Sequence, residues 1–368
     1  MNTLSSQRPS ATATRLTRLR NEIDRNGWSA LLVTDLVDVR WITGFSSSNA
    51  AAIVTSSDAF VVTDFRYQQA ASSLGAGIEP RVINQNLFGE LGTLLGEIVG
   101  TGAVAYSPAS LTHRSFLQLT EGLPDALTLR AVDGVIGTLR QVKDAGEIES
   151  VARASALLEG AYELVASMGL AGRTEGQVAW AIEQHLREAG ATGLSFESIV
   201  ASGVNGALPH HHPADDVIPV DTLVTVDIGC IFDGYCSDCT RTFAVGNPSD
   251  ELRKIYQVTL DAQLASLDAV RPGAVGRDVD ATARAIIEAA GYGERFGHGL
   301  GHGVGLEVHE GPRLSRPSND VLEAGQLVTV EPGIYLPGVG GVRIEDLVVV
   351  TESGCDILTG YTKGLTQA

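Results

Sequence analysis

The sequence predicts an α+β protein with two domains, and three observations support this fold class. The chain has 368 residues, which is long for one domain and sufficient for two. Residues from about 15 to 130 alternate short apolar runs with amphipathic segments, as α/β domains do. From residue 139 onward, two long helical patterns precede strand-rich segments that carry six of the eight histidines. We therefore expect an α/β domain over residues 15–138 and a larger domain over residues 139–368.

Composition argues against several classes of function. The net charge of −18 disfavours binding to nucleic acid, because phosphate recognition needs a cationic surface. No Lys/Arg cluster suits an anionic lipid, and no apolar run approaches the length of a transmembrane helix. Residues 1–14 are polar and lack the apolar stretch of a secretory signal. We expect a disordered tail there, a cytoplasmic protein, and neither nucleic acid nor a membrane among its partners.

Apolar runs and amphipathic segments predict the elements of the amino-terminal domain. The expected strands are residues 30–34, 51–54, 59–63 and 103–106. The expected helices are residues 15–27 and 86–100, where apolar side chains recur with helical spacing. This domain has no glycine-rich nucleotide fingerprint, so its pattern alone assigns it no chemistry.

The second domain opens with two helical patterns. Residues 139–168 are expected to form one long helix, and residues 174–190 a second. Thr174 and Gln177 have the spacing of a capping box, which marks the start of the second helix. Strand-rich segments follow without any low-complexity interruption.

The stretch GHGLGHGVGLEVHE, residues 297–310, places three histidines among five glycines. It does not fit a phosphate-binding loop, because Val304 breaks the dinucleotide spacing and a P-loop lysine is missing. Two alternatives remain at this point: a metal site, or a glycine-rich loop with solvated histidines. Partner ligands elsewhere in the chain must decide between them.

Residues 223–243 predict a β-hairpin that carries two aspartates. Two apolar runs flank Asp233-Gly234, a strong turn signal. A turn at residues 232–233 would place Asp227 directly opposite Asp238. A turn at residues 233–234 would shift the two by one pair but keep them on the same face. Buried carboxylates this close repel unless a cation neutralises them, so we expect a metal site, with a solvated carboxylate pair as the alternative.

Residues 327–350 predict a second hairpin of the same kind. A Pro-Gly-Val-Gly-Gly turn separates two β-branched runs, and Glu331 and Glu345 lie symmetrically about Gly338. We expect these glutamates to face each other, with Arg343 on the same face as Glu345. The alternative for Arg343 is a surface ion pair with a glutamate. Two hairpins with two carboxylates each indicate two related halves folded around one site.

His302 adds an imidazole to these four carboxylates. Such an oxygen-rich set suits Mn²⁺ or Co²⁺, with Mg²⁺ and Fe²⁺ as further candidates, better than a structural zinc site. Four carboxylates exceed the need of one divalent ion, so we expect two ions that share ligands. Cys236 and Cys239 have C-x-x-C spacing, but no second pair follows at zinc-ribbon spacing, so we interpret them as small core residues.

Several motifs together resemble the pita-bread metallopeptidases, the group of methionine aminopeptidase, aminopeptidase P and prolidase. VRWITGF, TDFRYQQA and LRQVKDAGEIE match the amino-terminal domain and the start of the catalytic domain of that group. LPHHHP, YCSDCTRTF, GHGLGHGVGLEVHE, VTVEPGIY and GVRIED match the catalytic blocks in order and spacing. The resemblance implies a pita-bread catalytic fold, a ribonuclease-H-like α/β amino-terminal domain and a homodimer.

The resemblance also implies residue roles. Asp227 would bind one metal, Asp238 and Glu345 would bridge, and His302 and Glu331 would complete the other site. The expected cofactor is two divalent ions, Mn²⁺ first, with Co²⁺ or Zn²⁺ as alternatives. The catalytic residues would be Glu331, as proton acceptor, with His210 and His309. His298, Arg313 and Arg343 belong to the substrate pocket, where Arg343 would orient site carboxylates. His211 and His212 receive no role and are expected to be solvated loop residues.

The implied activity is hydrolysis of the Xaa-Pro bond, and the expected substrates are dipeptides. Arg313 occupies a place where some prolidases hold the dipeptide carboxylate, and it favours this choice. The alternatives are an aminopeptidase P that acts on longer peptides, and a non-catalytic peptide-binding member of the fold. Because all five metal ligands are present, the sequence disfavours a non-catalytic member and a metal-independent creatinase-type activity.

Overall fold

The computed structural model describes residues 11–75, 77–84 and 86–368. Among these, the residues up to Arg140 form one compact unit and Gln141–Ala368 form a second. The tail predicted over residues 1–14 lies mostly outside the described residues. Its last four residues belong to a helix, so the prediction of a disordered segment was wrong for them. None of the described helices combines the length and apolarity needed to span a bilayer.

The amino-terminal unit contains one mixed six-stranded sheet. Its strands are β1 (Ala30–Val33), β2 (Ala50–Thr55), β3 (Ala59–Asp64), β4 (Glu79–Ile83), β5 (Gly102–Tyr106) and β6 (Leu127–Ala131). Its helices are α1 (Ala11–Asn26), α2 (Leu36–Thr43), α3 (Gln68–Ala71), α4 (Leu87–Val99), α5 (His113–Glu121) and α6 (Val135–Gln141). The strand order is β4-β3-β2-β1-β5-β6, with α4 and α5 packed on the sheet through a shared apolar core.

The four predicted strands and two predicted helices of this unit are confirmed. The prediction missed β4 and β6, which have few buried side chains and therefore little apolar signal. It also missed α2, whose signal is an N-cap: the Asp35 side chain accepts from the backbone N–H groups of Val37 and Asp38.

The second unit combines four helices with thirteen strands. The helices are α7 (Ala145–Ser167), α8 (Glu175–Glu188), α9 (Asp250–Ala269) and α10 (Gly276–Ala289). The first strands are β7 (Gly193–Leu194), β8 (Ile199–Ser202), β9 (Thr222–Ile228), β10 (Cys230–Phe232), β11 (Tyr235–Cys236) and β12 (Cys239–Val245). The later strands are β13 (Gly301–Gly303), β14 (Glu310–Leu314), β15 (Leu327–Val330), β16 (Gly333–Leu336), β17 (Gly340–Arg343), β18 (Asp346–Val350) and β19 (Cys355–Ile357).

The single helix predicted over residues 139–168 is wrong, because the structure contains two helices there. α6 ends at Gln141, and α7 begins after Asp144, which forms a capping box with Glu147. Between them, Lys143 donates its backbone N–H to the carbonyl of Gly325, and Val142 bridges to Gln326. Pairing with a distant segment therefore replaces the helical hydrogen bonds. The capping box predicted at the start of α8 is confirmed.

The second unit has two halves, each with a helix pair on a sheet. In the first half, α7 and α8 share a core with β8, β9 and β12. In the second half, α9 and α10 share a core with β15, β17 and β18. Each half contributes one of the predicted carboxylate hairpins, β9–β12 and β15–β18, as the sequence indicated.

Candidate metal centre

The first hairpin turns at Asp233 and Gly234. Both residues have positive φ, 47° and 79°, as a two-residue hairpin turn requires. Asp227 in β9 consequently pairs with Thr240 in β12, and Asp238 lies two residues before Thr240. The two aspartates therefore lie on the same face but are not directly opposed. This is the second of the two predicted registers.

The second hairpin is symmetric about Gly338. The pairs β15–β18 and β16–β17 follow one register centred on that residue. Glu331 and Glu345 lie between the paired segments, one on each arm. Their backbone N–H groups donate to neighbouring segments, to the carbonyl of Leu300 (2.8 Å) and of Thr240 (3.2 Å) respectively. These contacts open the hairpin locally and anchor each glutamate beside a different part of the site.

Three carboxylates converge in the interior of the second unit. Asp227, Asp238 and Glu345 each offer an oxygen, and these oxygens lie within 4.8 Å of one another. Thr240 donates its hydroxyl to Oε2 of Glu345 at 2.8 Å. Oδ1 of Asp227 and Oε1 of Glu345 are buried without a hydrogen-bond partner. Burial raises the pKa of all three carboxyl groups, and neighbouring carboxylates raise it further.

His302 and Glu331 lie beside this cluster. Nε2 of His302 is 3.2 Å from Oε1 of Glu331 and 3.6 Å from Oδ2 of Asp238. Nδ1 is 3.1 Å from the carbonyl of Gly303, which can only accept, so Nδ1 carries the ring proton. Nε2 then turns its lone pair toward carboxylates, an arrangement that a cation would stabilise.

A buried chain of polar groups links Asp227 to His298. Arg343 donates from Nη2 to Oδ2 of Asp227 at 2.6 Å and from Nη1 to the hydroxyl of Tyr335 at 3.0 Å. Nδ1 of His298 faces the carbonyl of Gly299, so its Nε2 accepts from the Tyr335 hydroxyl at 2.8 Å. Burial lowers the pKa of His298, which favours the neutral ring that this chain requires. Arg343 is therefore buried in contact with Asp227, and the surface ion pair considered for it is wrong.

All ten predicted site residues line one cavity of about 620 Å³. The cavity reaches the surface past His210 and Arg313, whose side chains are exposed. The ring of His309 packs edge-on against that of His302, with centroids 4.4 Å apart. Burial and the neighbouring positive groups lower the pKa of His309 to about 4. Phe196, Ile199 and Val308 supply apolar wall beside these polar groups.

The residue-by-residue prediction missed Thr240 and Tyr335, which hold Glu345 and Arg343 in place. Both residues lie within motifs that match the family, but neither residue type by itself indicates a role in the site. The expectation of a solvated His211 was wrong, because only 11% of its side chain is exposed and it contacts Glu175. His212 is exposed, as expected. All four cysteines are free, and Cys236 and Cys239 are buried in the core.

Comparison with known proteins identifies the family. Residues 140–352 match Metallopeptidase family M24, and residues 15–142 match the Creatinase/Prolidase N-terminal domain. The chain belongs to Metallopeptidase family M24. The Xaa-Pro dipeptidase of Pyrococcus furiosus is 34% identical over 350 residues, which cover 94% of this chain and 97% of that relative.

Solved structures agree with this assignment. The Xaa-Pro dipeptidase from Bacillus anthracis has a TM-score of 0.93 and 38% identity, and the match covers 97% of this chain and 100% of that one. The X-Pro aminopeptidase from Thermotoga maritima has a TM-score of 0.87 and 32% identity, over 94% and 100% of the two chains. These findings confirm the predicted α+β class with a pita-bread catalytic domain, and a metallopeptidase that depends on divalent metal ions.

Proposed function

We propose that this enzyme hydrolyses the bond before proline in Xaa-Pro dipeptides, at a centre that holds two divalent metal ions. The observation that carries the proposal is the convergence of three buried carboxylates with His302 and Glu331 beside them. Relatives that match nearly the full chain are named Xaa-Pro dipeptidases, which supports the substrate class.

The chemistry of the donor groups fits divalent metal ions. Buried oxygens of Asp227 and Glu345 lack partners, and burying unpaired carboxylate oxygens costs free energy that a cation would offset. Asp227 would serve one ion, Asp238 and Glu345 both ions, and His302 with Glu331 the other. Oxygen-rich ligands favour Mn²⁺, with Co²⁺ or Zn²⁺ as alternatives. Elemental analysis of protein purified with each metal would test the assignment.

The residues of the chain divide the work of hydrolysis. When bound, the metal ions supply Lewis-acid activation of the attacking water and of the substrate carbonyl. Glu331 takes a proton from that water and passes it toward the leaving prolyl nitrogen. His210 donates a hydrogen bond to the developing oxyanion, and His309 holds the scissile region of the substrate. Arg343 keeps Asp227 oriented while these steps occur, and neutral His298 lines the pocket.

An aminopeptidase P activity on longer peptides is the second candidate. The match to a protein named X-Pro aminopeptidase favours it, whereas Arg313 at the cavity wall favours a free carboxylate one residue after the scissile bond. Measuring kcat/KM for Ala-Pro and Ala-Pro-Ala with metal-replete protein tests the choice. Faster cleavage of Ala-Pro supports the dipeptidase, and faster cleavage of Ala-Pro-Ala replaces it with the aminopeptidase.

We also propose a cytoplasmic homodimer. Four free cysteines, three of them buried, suit a reducing compartment, and the family resemblance supports the dimer. Cell fractionation and light scattering on the purified protein test these two statements separately.

A further inference from the structure

The histidine that follows His210 is held in the interior rather than in solvent. Nε2 of His211 lies 2.5 Å from Oε2 of Glu175, whose side chain is fully buried. A carboxylate can only accept, so Nε2 of His211 carries a proton and donates it to this bond. The two residues are 36 positions apart, and the pair therefore joins the segment around His210 to the first turn of α8.

Glu175 accepts further hydrogen bonds from residues in the same region. Its Oε1 accepts from the backbone N–H and the hydroxyl of Ser202, both at 2.7 Å. The side-chain amide of Asn205 donates to both oxygens, at 3.2 and 3.3 Å. One buried carboxylate thus holds the end of β8, the following 3-10 turn (Gly203–Ala207) and His211.

The other side of this segment is fixed against β17. A Cβ placed on Gly341 would meet the carbonyl oxygen of Gly206 at 1.9 Å, so the two backbones are in direct contact. Nη1 of Arg343 donates to the carbonyl of Pro209 at 3.3 Å. His210 therefore lies between a backbone anchored on β17 and a neighbour anchored on Glu175.

A metal ion at Glu175 is the alternative explanation of the cluster. Ligand atoms of Glu175, His211 and Asp216 do lie within 4.8 Å of one another. However, a nitrogen-to-oxygen distance of 2.5 Å leaves no space for an ion between His211 and the carboxylate. The remaining oxygen already accepts from Ser202. The geometry is that of a hydrogen-bonded anchor.

We propose that the buried Glu175–His211 pair positions His210 for the reaction. The inference rests on the proposed function, in which His210 contacts the developing oxyanion. His211 and Glu175 are positioning residues in this proposal, because they act through the placement of His210: Glu175 does not line the cavity, and His211, at its wall, is assigned no contact with the reacting atoms. His212 is outside this arrangement: 81% of its side chain is exposed and it pairs with Glu197, which is also exposed.

Substitutions of His211, with a histidine remote from the cavity as the control, test the pair. His211→Phe keeps ring volume and removes the donor, and we expect kcat to fall about ten- to a hundredfold, as small misplacements of reacting groups do. KM for Ala-Pro and metal content should stay near wild type, and the thermal midpoint should fall by a few degrees, because the buried Oε2 of Glu175 loses its shortest hydrogen bond. His211→Gln keeps a donor and should recover much of the loss, and His113→Phe, at the exposed start of α5, should leave kcat nearly unchanged. Equal losses in His211→Phe and His113→Phe, or a loss of metal in His211→Phe, would overturn the proposal.

A double-mutant cycle shows whether His211 acts through His210. In a His210→Ala background, His211→Phe should cost little further activity, because the positioned group is already gone. An unchanged additional loss would mean that His211 acts independently, and the proposal would be wrong. If His210→Ala alone keeps full activity, the role of His210 in the proposed mechanism fails instead.

A structural measurement does not depend on the substrate. The ring NMR signals of His210, assigned by comparison with His210→Ala in protein loaded with diamagnetic Zn²⁺, should shift or broaden in His211→Phe and stay unchanged in His113→Phe. Unchanged signals in His211→Phe would overturn the proposal even if the enzyme acts on a different substrate. Failure to cleave any Xaa-Pro peptide, together with the expected NMR change, would reject the proposed function and keep the positioning role.

Discussion

Asp238 is a buried carboxylate that destabilises the fold unless a cation neutralises it. Its carboxylate lies within 4.8 Å of oxygens of Asp227 and Glu345, and burial, followed by the neighbouring carboxylates, raises its pKa. A side chain that is unfavourable in isolation becomes favourable when a cation is shared. The stability cost of the residue and its proposed function therefore have the same physical origin.

Replacing Asp238 with Asn separates these two effects. The amide keeps the shape and removes one charge, so the metal-free protein should be at least as stable as the metal-free wild type. Loss of a residue that merely orients a ligand costs about 10–100-fold in metal affinity or activity, so loss of a shared ligand should cost more. Calorimetry, elemental analysis and turnover of Ala-Pro measure the three effects. Asp278→Asn, on the exposed surface of α10, is the matched control. Full activity with two metals bound in Asp238→Asn would reject Asp238 as a ligand that the two ions share.

Substitution of Arg313 tests whether the enzyme prefers dipeptides to tripeptides. A charge-assisted contact with the dipeptide carboxylate contributes roughly 1.5–3 kcal/mol when well formed. Arg313→Gln should therefore reduce the preference for Ala-Pro over Ala-Pro-Ala by about tenfold or more, mainly by weakening the dipeptide reaction. Arg316→Gln is the control, since this exposed arginine does not line the cavity. An unchanged ratio of kcat/KM in Arg313→Gln would remove Arg313 from carboxylate recognition.

At the scale of elements, the hairpins position the carboxylates, and they were predictable because hairpin register is local. Asp233-Gly234 determines one register and the turn around Gly338 the other, so a few residues establish which carboxylates share a face. The break between α6 and α7 was not predictable by periodicity, because it depends on pairing with Gly325 and Gln326 far along the chain. The contact of His211 with Glu175 was missed for the same reason.

The contact between β17 and the 3-10 turn gives a prediction for these elements. In Gly341→Ala the new Cβ would lie 1.9 Å from the carbonyl oxygen of Gly206, so the two elements must separate. We expect a loss of about 1–3 kcal/mol in the free energy of unfolding, as overpacking causes. Activity should fall as well, because β17 carries Arg343 and the turn leads to His210. Urea unfolding and turnover measure the two losses. Gly354→Ala, with no neighbouring atom within 4 Å, should change neither stability nor activity. Unchanged stability and activity in Gly341→Ala would contradict the close packing.

At the scale of the whole molecule, the metal centre links the two halves of the second unit. Asp227 and Asp238 come from the hairpin of one half, and Glu331 and Glu345 from the hairpin of the other. Each half buries its own apolar core, but neither provides the full set of carboxylates. The halves already meet through Leu223 and Ala244, which pack in the core of the second half, and through the Arg343–Asp227 pair. Ions bound at the centre would add a link between carboxylates that otherwise repel each other.

Removing the metal should consequently lower the stability of the intact protein. A ligand present at 100 times its Kd stabilises the folded state by about 2.7 kcal/mol, provided that it does not bind the unfolded chain. For a unit of this size, 1 kcal/mol corresponds to a shift of roughly 2–4 °C in Tm, so saturating Mn²⁺ should raise the Tm of chelator-treated protein by roughly 5–10 °C. Scanning calorimetry of the full chain measures the shift, with Asp238→Asn as the control that should show little of it. Because calorimetry requires no substrate, an unchanged Tm in wild-type protein over a full Mn²⁺ titration would refute the manganese assignment whatever peptide the enzyme cleaves. A shift with Co²⁺ or Zn²⁺ alone would keep the centre and replace the metal.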